Sequence, residues 1–418
     1  MPHESSLIAT LAIGLAFAFV GGFIAVRLHL PPLVGYLLAG IAVGPFTPGF
    51  VADARLAAQL AEIGVILLMF GVGMHFSVRD LWAVRTIALP GAVAQIAVAT
   101  ALGFGVAWSW NWPVGAGLVF GLALSVASTV VLLRALEAQG SLNSGDGRIA
   151  VGWLIVEDLA MVLTLVLLPA FAGPLGGQSL GDSGGSTSGS LWARLSLTLG
   201  KVVVFVALML LVGTRIFPRL LRWVERTGSR ELFTLAVVAL ALGVAFGSAQ
   251  LFGVSFALGA FFAGVVINES DLSHRAASDL QPLQDAFAVL FFVAVGMLFD
   301  PAILARQPLQ VFVVLVIIVV GKSLAALGIV LALRHPLRTA LLVSAALSQI
   351  GEFSFILAGL GVHLNLLPPS GHNLIIAGAL LSITLNPLVF RIVSRFQPPG
   401  VESQTFEAVG NGREGEIQ

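Results

Sequence analysis

Residues 149–170 read IAVGWLIVEDLAMVLTLVLLPA, an apolar run interrupted only by Glu157 and Asp158. As one helix the run is long enough to cross the roughly 30 Å hydrocarbon core of a bilayer. One charge at the centre of such a helix costs roughly 2.5–3.5 kcal/mol on insertion scales. Two in succession persist only where they face protein, a wet cavity or a cation. The stretch therefore points both to a membrane-spanning fold and to cations or protons handled inside it.

Composition agrees. Hydrophobic residues make up 58% of the chain and charged residues 10%, with a mean hydropathy of +1.01. Soluble domains carry about 25% charged residues, so the expected class is an all-α polytopic membrane protein. The formal net charge is zero and no basic tract exists, which argues against nucleic acid as a partner. With no cysteine, disulfides, thiol catalysis and cysteine-bound metals are excluded. The N-terminus lacks a basic segment and a small-residue cleavage site, so the first apolar run reads as a retained helix.

Hydropathy predicts about 13 spans: 6–26, 33–47, 57–74, 87–109, 114–133, 149–170, 195–217, 232–249, 256–267, 283–299, 309–333, 341–361 and 373–392. The short span 256–267 is the one open to merging with its neighbour. If the N-terminus is outside, about 16 arginines fall on the inner side against only Arg55, Arg194 and Arg306 outside. That bias predicts a cytoplasmic C-terminus by the positive-inside rule. Residues 173–190, rich in Gly and Ser, read as a flexible outer linker between two halves. The tail 397–418 is polar. Its G-x-G-x-x-G at 410–415 has no strand before it and no room for a helix after it, so it reads as coincidence.

The chain's only two lysines, Lys201 and Lys322, both fall inside spans. Lys201 lies near the outer end of its span, where a lysine snorkels to the interface. Lys322 has about 12 apolar or small residues on each side, which puts it at the depth expected for Asp158. An acid and a base at equal depth in separate helices are natural partners, with a static salt bridge as the plainer alternative. Adjacent residues project about 100° apart on a helix. One of Glu157 and Asp158 can thus line a cation site while the other contacts a neighbouring helix or Lys322. Two carboxylates so close titrate as a coupled pair, and a site open to proton or cation is the simplest basis for exchange.

Two other spans carry polar residues at mid-depth. Span 114–133 contains Ser125, Ser128 and Thr129; span 341–361 contains Ser348, Gln349, Gly351 and Glu352. Each can be an interrupted helix whose freed carbonyls and hydroxyls line an ion site, as in transporters built from inverted repeats. Glu62 lies near a helix end and reads as interfacial. The seven histidines lie in tails, loops or span ends with no i, i+4 pair, which argues against a histidine metal site.

A wider pattern accompanies these residues. It comprises Pro32-Leu33-Val34-Gly35-Tyr36-Leu37-Leu38-Ala39-Gly40, Glu62-Ile63-Gly64-Val65, and Gly147-Arg148 ahead of Glu157-Asp158. It continues with Ser255-Phe256-Ala257-Leu258-Gly259-Ala260-Phe261, Phe291-Phe292-Val293-Ala294-Val295-Gly296-Met297 and Ser348-Gln349-Ile350-Gly351-Glu352-Phe353. From about Leu7 to Phe396 the chain resembles Kef-type monovalent cation/proton antiporters, nearest their YbaL branch. The resemblance implies a transmembrane antiporter domain over 1–396 made of 13 helices in two inverted repeats. Core helices, about 87–170 and 309–392, would contain two crossed broken helices. Panel helices, about 6–74 and 232–299, would form a homodimer interface, with a linker helix at about 195–217.

It further implies an elevator-like cycle in a bacterial-type inner membrane, K⁺ favoured over Na⁺ as transported ion, and no other cofactor. Asp158 would be the cation and proton carrier, aided by Ser128 and Thr129, with Lys322 its charge partner. Two departures stand out. Such proteins usually have Gln before the essential Asp, where this chain has Glu157. They also continue into a nucleotide-binding regulatory domain, which the tail 397–418 is expected to precede, so nucleotide regulation depends on that domain. The rival readings are a ligand-gated K⁺ channel, for which no TVGYG-like filter is present, and an intramembrane enzyme, for which no catalytic arrangement exists at matched depth.

Overall fold

The computed structural model describes residues 3–48, 53–75, 78–142, 144–178 and 191–396. The tail 397–418 and most of the Gly/Ser-rich stretch, 179–190, lie outside the described residues. Among those described, the secondary structure is helical without strands. The first helices are α1 (His3–Arg27), α2 (Pro32–Val43), α3 (Ala54–His75) and α4 (Val78–Ser109). An interrupted pair follows, α5 (Val114–Ser125) and α6 (Thr129–Ala138), then the continuous α7 (Gly145–Phe171). Helices α8 (Leu191–Leu208) and α9 (Thr214–Glu225) form one rod joined by a π-helical turn at Met209–Gly213. Next come α10 (Arg230–Phe252), α11 (Phe256–Asn268), α12 (Ser273–Met297) and the single turn α13 (Ile303–Arg306). A second rod joins α14 (Pro308–Val316) to α15 (Lys322–Ala332) through a π turn at Ile317–Gly321. A second interrupted pair, α16 (Leu337–Ala346) and α17 (Glu352–His363), precedes α18 (Pro369–Ser394).

Ten of these stretches are long and apolar enough to cross a membrane. The shorter α2 and α11 and the interrupted α16–α17 complete thirteen apolar segments, the number that hydropathy predicts. The question of 256–267 is decided by two residues. Gly253 ends α10 in the left-handed conformation (φ +67°), which glycine adopts without steric cost, and Ser255 caps α11 by accepting from Leu258 N–H. The chain therefore starts a new helix there.

Several helices outrun their apolar cores. Helix α12 begins ten residues before the hydropathic span, and α9 continues to Glu225. Hydropathy marks where a helix meets lipid, whereas its backbone hydrogen bonds continue into the polar layer. Ion pairs tie these extensions together: Arg275 to Glu225 at 3.1 Å and Arg230 to Asp279 at 2.9 Å, with Arg275 also lying 4.4 Å from the centre of the Phe233 ring.

The helices pack as two sets. In one, α12 lies on α2 and α3, α11 on α3 and α10, and α1 on α2. Glycine makes the closest approach possible: a Cβ on Gly296 would stand 2.2 Å from the Leu37 carbonyl oxygen, and one on Gly40 would stand 2.1 Å from that of Val293. In the other set, α4 packs on α5, α7 and α15, α16 on α7, α15 and α18, and α17 on α5 and α18. The α8–α9 rod runs between them, its α8 part touching α7 on one side and α10 on the other.

Candidate functional site

Both helix interruptions follow the same tripeptide, Ala-Leu-Ser, at 123–125 and 346–348. In each the serine hydroxyl turns back to donate three residues upstream, Ser125 to the Leu122 carbonyl at 2.7 Å and Ser348 to that of Ala345 at 2.8 Å. The helix then opens. Val126 and Ser128 are extended in the first break, where β-branched residues crowd, and Gly351 is extended in the second. An amide from a neighbouring helix meets each freed end. Gln95 of α4 donates to the Ser125 carbonyl at 3.0 Å, and Asn386 of α18 donates to the Ala345 carbonyl at 3.0 Å. Sequence reasoning did not single out Gln95 or Asn386. The signal is an amide in the interior of each of two apolar spans, 87–109 and 373–392.

The breaks cross in contact. A Cβ on Gly351 would stand 2.3 Å from Ser128 Cβ and 2.4 Å from Ser128 Cα. Gln349 stitches the crossing: its Oε1 accepts from Ser128 N–H at 3.0 Å and its Nε2 donates to the Ser128 carbonyl at 3.2 Å. Ser128 and Gly351 are the N-cap residues of α6 and α17. Two helix N-termini, each carrying roughly half a positive charge, therefore meet at one point.

Carboxyl groups gather there. Asp158 Oδ2 accepts from Thr129 Oγ1 at 3.1 Å, and Glu157 Oε2 accepts from Ala127 N–H at 2.9 Å. Glu352 opens α17 and turns its carboxyl to the hydroxyls of Ser128 and Thr129 and to the Thr129 N–H. Each acid keeps one oxygen, Asp158 Oδ1, Glu157 Oε1 and Glu352 Oε2, buried without a hydrogen-bond partner. Trp153 Nε1, one turn before Glu157, is buried facing the Glu157 carboxyl. Buried polar atoms without a partner are rare in proteins, and each calls for an explanation such as a bound ion or proton.

The structure brings together Glu157, Asp158, Ser128, Thr129, Gln349 and Glu352. For Lys322, which helix geometry leaves to either acid and the resemblance assigns to Asp158, the neighbour is Glu157. Lys322 Nζ donates to the Gln349 carbonyl at 3.0 Å, the carboxylate whose charge it feels is that of Glu157, and no ion pair joins it to Asp158. The charged neighbours of Asp158 are Glu352 and Glu157. The reason is angular: the two acids point about 100° apart on α7, Asp158 toward the N-terminus of α6 and Glu157 toward the backbone at Ala127. Ser348 also stands apart from the acids. Its hydroxyl is engaged with Ala345 and accepts from Asn386 at 2.9 Å, so it braces the break. Among the described residues no set of three His, Asp or Glu side chains is placed to hold a metal ion.

The profile of the transmembrane sodium/hydrogen exchanger family matches residues 15–395. The chain is 60% identical, over 97% of its length and 72% of the relative's, to an Escherichia coli protein named as the cation/proton antiporter YbaL. It is 31% identical to K(+) efflux antiporter 6 of Arabidopsis thaliana, over 98% of its length and 67% of the relative's. It is also 31% identical to the glutathione-regulated potassium-efflux system protein KefC of an Enterobacter species, over 91% of its length and 59% of the relative's. Among solved structures, the sodium proton antiporter MjNhaP1 of Methanocaldococcus jannaschii superposes with a TM-score of 0.68 at 18% identity, covering 93% of this chain and 98% of that one. The last likeness is one of fold.

Proposed function

The chain belongs to the sodium/hydrogen exchanger family, as a multi-pass membrane protein whose relatives are transporters and not enzymes, and from that premise we propose that it exchanges a monovalent cation for protons at Asp158. The observation that carries this reading is the unpartnered Oδ1 of Asp158, buried where two helix N-termini meet. Ionised, Asp158 offers that oxygen to a cation beside the Thr129 hydroxyl, and Ser128 fixes that end of α6 as its N-cap. Protonated, it releases the cation. A carboxylate that can hold either but not both couples their movement in opposite directions. Lys322 and Glu157 set the charge of the emptied site through the Gln349 carbonyl and the Ala127 N–H.

K⁺ is the favoured ion, because several relatives are named for potassium efflux, with Na⁺ the alternative. The two helix sets support an elevator-type cycle in which the set holding the crossing moves against the other. That other set would form the homodimer interface, with the N-terminus outside and the C-terminus in the cytoplasm. The test is flux in proteoliposomes under an imposed pH gradient, in K⁺ and Na⁺ separately. Cation-dependent proton movement is expected to vanish in Asp158→Asn. Undiminished movement in that variant would overturn the assignment, and turnover without proton coupling would favour a channel.

A further inference from the structure

The α8–α9 rod is longer than a membrane is thick. From Leu191 to Glu225 it rises about 52 Å, against roughly 30 Å of hydrocarbon and 40–45 Å including headgroups. Its last three turns, about 16 Å, therefore run from the hydrocarbon edge into a headgroup layer roughly 5–8 Å deep. Those turns carry Arg215, Arg219, Arg222 and Arg226, spaced 4, 3 and 4 residues apart. At about 100° per residue the four fall within roughly 60° of one another, so they form a single stripe along the rod. All four are exposed.

The stripe differs from four of the chain's other arginines in what it touches. Arg230, Arg275, Arg306 and Arg338 each pair with an acid. Among the described residues none of the four stripe arginines does. Arg215 donates to the Leu211 carbonyl at 2.7 Å and Arg222 to that of Pro218 at 3.3 Å, contacts that hold the side chains along the helix and leave the remaining guanidinium donors outward. Glu225, the acid nearest in sequence, is engaged by Arg275. Beside the stripe runs an apolar strip, Ile216, Leu220 and Trp223, with Trp223 70% exposed. Indole rings settle at the boundary between acyl chains and headgroups.

We propose that this face of α9 binds the phosphate headgroups of anionic phospholipids, with the acyl chains lying on the strip that ends in Trp223. The assignment rests on charge complementarity: planar guanidinium groups match phosphate oxygens in pairs, and the stripe crosses the layer in which those phosphates lie. It is independent of the reading of Asp158 as an ion carrier.

The full chain is reconstituted in vesicles of equimolar phosphatidylglycerol and phosphatidylcholine, repurified in detergent, and its retained lipid quantified. The expected result is phosphatidylglycerol enriched several-fold over phosphatidylcholine, with the enrichment falling as salt rises. The triple variant R219Q/R222Q/R226Q is expected to lose it, each arginine near an anionic surface contributing roughly five-fold. The matching lysine variant, which keeps the charge, is expected to retain enrichment, while an unchanged melting temperature in phosphatidylcholine alone reports that the glutamine variant folds. Retained lipid in the supplied ratio, or enrichment unchanged in the folded glutamine variant, would overturn the proposal. So would displacement of the lipid by millimolar inorganic phosphate, which would make the stripe a free-anion site.

Discussion

The side-chain amide of Gln349 takes up both backbone hydrogen-bonding groups of Ser128, accepting from N–H at 3.0 Å and donating to the carbonyl at 3.2 Å. One side chain of the second interrupted pair thus stands where a neighbouring strand would stand in a sheet. Its own carbonyl accepts from Lys322, so the crossing and the buried cation are held through a single residue.

Replacing Gln349 by alanine leaves the buried N–H of Ser128 without a partner, at about 1–3 kcal/mol, while the Ser128 carbonyl keeps the bond it accepts from Leu132 N–H at 3.1 Å. Thermal unfolding in detergent is expected to show a stability loss of about 1–3 kcal/mol, with transport reduced in parallel. A melting curve equal to wild type would mean that water or another side chain takes over the bond to that N–H.

Thr129 donates its hydroxyl to Asp158. A hydrogen bond to a charged group contributes about 1.5–3 kcal/mol, so Thr129→Val is expected to weaken apparent cation affinity about 10- to 100-fold. Maximal turnover should change less, and Thr129→Ser should restore affinity. Flux measured against cation concentration separates the two quantities.

Glu157→Gln keeps an acceptor for Ala127 N–H but removes the charge that faces Lys322. Leaving a buried charge without its partner costs about 3–5 kcal/mol, which unfolding should report. Adding Lys322→Met should recover much of that loss. Under clamped membrane potential, the charge moved per cycle is expected to differ from wild type, in K⁺ and Na⁺ alike. If stability and charge per cycle both stay at wild-type values, Glu157 has no part in the charge balance.

Gly351→Ala places a methyl group 2.3 Å from Ser128 Cβ, so the crossing must separate. Transport is expected to fall at least about ten-fold, the scale on which small displacements act at a positioned site. Gly359→Ala, eight residues on within helix α17, meets nothing within 4 Å and serves as the control. It should transport like wild type.

Much of this architecture was legible in the sequence, because bilayer length and charge cost leave few choices. The thirteen apolar segments, the two mid-span breaks and the collection of Glu157, Asp158, Thr129 and Glu352 all follow from apolar runs and the polar residues that interrupt them. What escaped has a common cause. Depth along a helix can be counted from a sequence, but rotation about its axis depends on neighbours, so depth alone leaves Lys322 to either acid while its bearing is toward Glu157 and the Gln349 carbonyl. Gln95 and Asn386 were passed over for a related reason: an uncharged amide carries a modest burial cost, and its purpose appears only when the helix end it caps is in place.

The π turn at Ile317–Gly321 ends at the residue before Lys322. A π turn holds one residue more than the regular turn it replaces, so everything after it is advanced by about 100° in phase. Remove one residue from that turn and the same composition, at nearly the same depth, would aim its lysine away from the crossing. The position of the buried positive charge is thus written in the length of the chain as well as in its chemistry, and a single insertion or deletion there would rewire the site without changing any of its residues.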